Sequence, residues 1–231
     1  MKTENNADHI RARALRREER DKTGLVGFYN YTVILTYIGV GSGVVGIGFC
    51  IANRLSAAIV CLLVSGFCDL FDGSIAKTRK RNEQEKKFGI QIDSLADLIC
   101  FGVLPAAIGF AIGLGRWYET LVLVFYVIAA LIRLAYYNVT EDELQINKRT
   151  SRIAYDGLPV TTVSLLIPLI YTLRPWMAVY FPYAYWGWLL ILGVAFITKI
   201  KVRKLGMKGM IVMACLGVVV LAVLVIGWNR T

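Results

Sequence analysis

Asp69, Asp72, Asp93 and Asp97 interrupt two otherwise apolar stretches of this sequence. A carboxylate in a hydrocarbon environment costs at least ~2.5–3.5 kcal/mol on insertion scales, so four of them demand a compensating partner. Asp69 and Asp72 are spaced i, i+3, and Asp93 and Asp97 i, i+4, so each pair shares one face of a helix. Carboxylates gathered in a confined place cannot all stay ionised without cations. An all-oxygen ligand set favours Mg²⁺ or Mn²⁺ over zinc. Four such groups can hold two ions about 3.5–4 Å apart, an arrangement that clamps phosphate oxygens and steadies charge on a departing phosphate. The blander reading makes the acids helix caps or ion-paired groups, with Arg133 as a partner. One cation does not neutralise four anions.

The elements that must position these acids are membrane spans. Hydrophobic residues make up 57% of the 231 and the mean hydropathy is +0.58, far above the soluble norm. Apolar runs long enough for a bilayer core of about 30 Å are expected near 31–52, 55–76, 90–113, 117–138, 157–173, 179–198 and 209–228. These predict an all-α, polytopic transmembrane bundle of about seven spans. With the N-terminus inside, the segments 1–30, 77–87, 139–153 and 199–208 collect 21 of the 26 Lys and Arg residues. Basic residues favour the cytosolic side, so both aspartate pairs are expected near the cytosolic loop that joins spans two and three. Gly73 and Ala76 leave the neighbouring face of span two nearly bare, and a flat ligand can approach the backbone there.

Composition narrows the alternatives. The net charge of +10 sits in short basic runs between apolar segments, which suits anionic lipid headgroups and argues against nucleic acid. The five cysteines lie in apolar segments without CxxC spacing, so no disulfide framework or zinc site is indicated. His9 is the sole histidine, which removes histidine-based catalysis. The basic N-terminus lacks an apolar h-region, and no signal peptide is predicted. Two regions are expected: a cytosolic or interfacial segment over 1–30, in which residues 7–22 form a surface helix or a solvated tail, and a transmembrane catalytic domain over 31–231. Asp156, ahead of Gly157 and Pro159, reads as a helix cap.

The run Asp69-x2-Asp72-Gly73-x2-Ala76-Lys77-x11-Gly89-x3-Asp93-x3-Asp97 resembles the CDP-alcohol phosphatidyltransferase signature, D-x2-D-G-x2-A-R-x8-G-x3-D-x3-D. Two features depart from it. Lys77 replaces an Arg and loses its planar fork, and the spacer before Gly89 is longer, within a hydrophilic loop where insertion is cheap. Within the family, residues 88–106, Arg133 to Asn138 and Gly157-Leu158-Pro159 are similar to bacterial and archaeal phosphatidylserine synthases, although Tyr136 and Tyr137 stand where many of those show Arg and Phe.

The resemblance implies a six-helix core and metal bound by Asp69, Asp72, Asp93 and Asp97, with Asp97 also the general base. It further implies contacts from Gly73, Ala76, Lys77 and Gly89 to the cytidine diphosphate. Transfer of a phosphatidyl group from CDP-diacylglycerol to L-serine with release of CMP is the leading expectation, with Arg133 and Asn138 near the acceptor. A homodimer in a bacterial or archaeal plasma membrane, with its site facing the cytosol, completes it. The same transfer to glycerol 3-phosphate or inositol phosphate is an alternative, since Lys201, Arg203 and Lys204 could meet a second phosphate. A divalent-cation transporter is a weaker one, because such proteins place ligands near the midplane on repeated, broken helices.

Overall fold

The computed structural model describes residues 27–29, 31–76, 82–146, 154–199, 201–203 and 207–228. The surface helix expected at 7–22 and Lys77 lie outside them, as does the side chain of Ala76. The described chain is a helical membrane bundle. Helices α1 (Tyr31–Ile51) and α2 (Leu55–Ala76) form a tight antiparallel hairpin, closed by Asn53 in the left-handed conformation at φ 56°. Helix α3 (Glu83–Asp97) passes through a π turn (Leu98–Val103) into α4 (Leu104–Ala111). Helix α5 (Trp117–Ile146) returns towards the aspartate end. Then follow a 3₁₀ turn (Val160–Thr162) leading into α6 (Val163–Tyr171), the short α7 (Arg174–Met177), α8 (Phe181–Ile197) and α9 (Met207–Trp228).

Among the described residues, five helical segments are long and apolar enough to cross a membrane, and the shorter apolar helices Val160–Tyr171 and Val212–Ala222 occupy the fifth and seventh expected positions. In lipid, close packing and internal hydrogen bonds hold such helices together, because the surroundings are as apolar as the side chains. Ile59, Leu62, Leu104, Ile108 and Leu189 are fully buried between α2, α4 and α8. A Cβ on Gly43 would come within 2.8 Å of Cys100 Sγ, and one on Gly46 within 2.9 Å of Cys61 Cβ. Both glycines thus set how closely α1 approaches its neighbours.

Several boundaries differ from the sequence expectation. The third span begins at Glu83 rather than 90, because Asn82 and Glu85 form a reciprocal cap: Asn82 Oδ1 accepts from the Glu85 amide at 2.7 Å, and Glu85 Oε2 accepts from the Asn82 amide at 3.0 Å. Such a capping box satisfies two otherwise orphaned donors and extends the helix into hydrophilic sequence. The fourth helix runs beyond 138 to Ile146.

Asp156 does not begin a helix. It ends a three-residue strand (β1, Ala154–Asp156) paired antiparallel with β2 (Lys201–Arg203). Gly157 follows at φ +85°, with the Phe196 and Thr198 carbonyls where a Cβ would stand. The helical part of the fifth expected span therefore starts only at Val160, after Pro159 has turned the chain. At the end away from the aspartates, Trp117, Trp176, Tyr180 and Tyr183 are exposed beside Arg116 and Arg174, the pattern of a membrane–water interface.

Candidate active site

The aspartates come from α2 and α3. Asp69 and Asp72 lie within the last two turns of α2, and Asp93 and Asp97 within the last two turns of α3. All four acids line one pocket between these helices. One carboxylate oxygen from each of Asp69, Asp93 and Asp97 falls within 4.8 Å of the others. Asp69 lies within hydrogen-bonding reach of Asp97, and Asp72 of Asp93. Asp72 stands outside the triplet and is buried, its Oδ2 accepting from Thr36 Oγ1 of α1 at 3.2 Å.

A small pocket is lined by all four acids together with Thr36 and Ser65. Asp69 also borders a second pocket between α2, α6 and α9, whose wall includes Thr161, Ser164 and Met213. Three carboxylate oxygens so close together are a donor set of the kind a hard divalent cation takes. The fit is chemical as well: these are anionic oxygens crowded where hydrocarbon would otherwise penalise them. Arg133 of α5 is buried, with its charge acting on Asp97 and its guanidinium carbon 5.9 Å from the centre of the Tyr137 ring.

The positions expected to meet a nucleotide take up the same faces. Gly73 is one turn beyond Asp69 and exposed, with open space where a Cβ would stand. Gly89 precedes Asp93 by one turn of α3 and is half-buried, so Gly89, Asp93 and Asp97 form one stripe. Ala76 closes α2 at the same end. Asn138 faces α3, where its Oδ1 accepts from Ser94 Oγ at 2.8 Å. Thr36, Ser65 and Ser94 were not singled out by the sequence. Their signal is a lone hydroxyl in an apolar run, which membrane helices carry for many reasons.

The π turn directly follows Asp97. Pro105 has no N–H to offer the Phe101 carbonyl four residues earlier, and the buried Tyr126 hydroxyl donates to that carbonyl at 2.6 Å. Tyr185 of α8 likewise donates to the Pro105 carbonyl at 2.8 Å. Such π turns recur near functional sites.

A family model for CDP-alcohol phosphatidyltransferase matches residues 29–198, and the chain belongs to that family. Over 115 residues it is 41% identical to the CDP-diacylglycerol–serine O-phosphatidyltransferase of Saccharomyces cerevisiae, a stretch covering 48% of this chain and 41% of the yeast protein. It is 28% identical over 139 residues to the archaetidylserine synthase of Methanothermobacter thermautotrophicus, covering 60% of this chain and 56% of that protein. With the Bacillus subtilis CDP-diacylglycerol–serine O-phosphatidyltransferase it shares 26% identity over 136 residues, 58% of this chain and 71% of the relative. The chain thus spans less than half the length of the yeast relative it matches.

Proposed function

We propose that this protein transfers a phosphatidyl group from CDP-diacylglycerol to L-serine, releasing CMP. The observation that carries the reading is that four aspartates from α2 and α3 line one pocket, three of them close together, beside the open face at Gly73. The family supports the donor chemistry, and the relatives named for serine transfer support the acceptor. A transporter needs its acids along a path through the bundle. Here all four line a single pocket.

In this reading Asp69, Asp72, Asp93 and Asp97 hold Mg²⁺ or Mn²⁺, as two ions. When bound, the metal neutralises the diphosphate and stabilises the charge on departing CMP. Gly73, Ala76, Lys77 and Gly89 let the diphosphate and cytidine lie close to the backbone. Asp97 accepts the proton of the serine hydroxyl, whose oxygen forms a bond to the phosphatidyl phosphorus. In the net reaction the bond from that phosphorus to CMP breaks, and CMP leaves with the electron pair.

Arg133 orients the serine carboxylate while its charge also acts on Asp97. Asn138, whose oxygen is engaged by Ser94, offers its amide N–H groups to the same substrate. The site faces the cytosol, and the working unit is a homodimer.

The test is CMP release from CDP-diacylglycerol by the purified protein, with Mg²⁺ or Mn²⁺ and each alcohol in turn. Serine is expected to support turnover well above glycerol 3-phosphate and inositol phosphate. Preference for a phosphorylated alcohol would transfer the reading to that acceptor, and metal uptake into proteoliposomes without CMP release would replace it.

A further inference from the structure

Threonines in helices commonly turn their hydroxyl back onto a carbonyl three or four residues earlier. Thr140, Thr172 and Thr198 do so here, donating to the carbonyls of Tyr136, Leu169 and Val194 at 2.9, 2.6 and 2.7 Å. Thr36 gives its proton to Asp72 Oδ2 of the neighbouring helix instead. It is 7% exposed and lines the acid cavity. Its reach is fixed by the face of α1 on which it sits. One turn further on, the Gly39 carbonyl accepts from Ser65 Oγ at 2.9 Å and from Cys100 Sγ at 3.3 Å, and Ser42 Oγ then donates to the Cys61 carbonyl at 3.0 Å. Helix α1 is thereby pinned to α2 and to the π turn at successive turns, and Thr36 is the member of that row that meets the site.

The consequence is visible in the acids. Asp69, Asp93 and Asp97 form the close triplet, and Asp72, tethered to Thr36, is the fourth that stands outside it. We infer that Thr36 is a positioning residue: its hydroxyl occupies Asp72 Oδ2, aims the remaining oxygen at the cavity, and so sets how Asp72 completes the cation site. The inference rests on the proposed function for its catalytic meaning, but the metal-binding claim can be measured without turnover.

The experiment compares Thr36→Val, which keeps shape and loses the donor, with Thr36→Ser, which keeps the donor. Mn²⁺ binding to full-length purified protein is followed by electron paramagnetic resonance without donor lipid, and CMP release is followed against Mn²⁺ concentration. Losing a partner that orients a metal ligand typically costs about 10- to 100-fold in affinity. Thr36→Val is therefore expected to shift half-saturation upward by that factor in both measurements, with the maximal rate largely recovered at high Mn²⁺, and Thr36→Ser is expected to bind as the unmodified protein does. Unchanged Mn²⁺ binding in Thr36→Val would overturn the inference. If Thr36→Val does not fold, Thr36→Ala replaces it, and equal Mn²⁺ binding by the Ala and Ser variants is then the overturning result. A protein that binds Mn²⁺ in this Thr36-dependent way yet releases no CMP with any alcohol would refute the functional reading and leave Thr36 in place.

Discussion

At the residue scale, the balance is between the cost of burying acids and what they can hold there. Asp97 combines closeness to Asp69 with the nearby charge of Arg133, which suits a group that takes a proton while other carboxylates carry the cation. Asp97→Asn keeps the size of the side chain and removes the basic oxygen. Turnover is expected to fall by at least about 10²-fold. The thermal midpoint in detergent should hold steady or rise, because one of four crowded negative charges is gone. Full CMP release by this variant would end the assignment of Asp97 as base. Chelation acts on the same balance from the other side: stripping divalent metal should abolish CMP release and lower thermal stability, and added Mn²⁺ or Mg²⁺ should restore both. Heat resistance that is unaffected by the chelator would show that these acids are compensated in some other way.

At the element scale, the two acid-bearing helices were legible in the sequence, because carboxylates at i, i+3 and i, i+4 inside apolar runs have few bland explanations. That the two pairs face each other is expected from successive spans that cross in opposite directions. What escaped was the element ends and the devices between helices. Asn82 and Glu85 do spell a capping box, but the hydropathy that defines a span begins only near 90, so the helix start was placed too late. The aspartate at 156 looked like a cap because Gly157 and Pro159 follow it, whereas pairing with Lys201–Arg203 depends on a partner more than forty residues away. The π turn was equally hidden, since Pro105 alone announces a missing hydrogen bond without naming the residue that compensates for it. Tyr126→Phe tests that compensation. It leaves the Phe101 carbonyl unsatisfied in a buried place, a loss of about 1–3 kcal/mol, and should lower the thermal midpoint in detergent. A variant as stable as the parent would show that the carbonyl finds another donor.

At the scale of the whole molecule, charge and aromatic residues divide the bundle into two ends. The sequence groups 21 of its 26 basic residues in the segments 1–30, 77–87, 139–153 and 199–208, whereas Trp117, Trp176 and Tyr180 are exposed at the end away from the aspartates. Such basic segments suit anionic headgroups, and the same asymmetry predicts that the aspartate-bearing site faces the cytosol. The prediction can be checked with single cysteines in a background where exposed Cys215 on α9 is replaced by alanine. Gln84 lies exposed in the first turn of α3, at the end that follows α2, and Gly115 lies exposed in the turn before α5, past the far end of the same span. In sealed vesicles of known orientation, a membrane-impermeant maleimide should label Gln84→Cys only from the cytosolic side and Gly115→Cys only from the opposite side. The buried Cys50, Cys68 and Cys100 contribute little background while the bundle stays folded. Reversed labelling would place the aspartates at the outer leaflet, away from any cytosolic supply of serine, and the proposed acceptor would have to be abandoned along with the orientation.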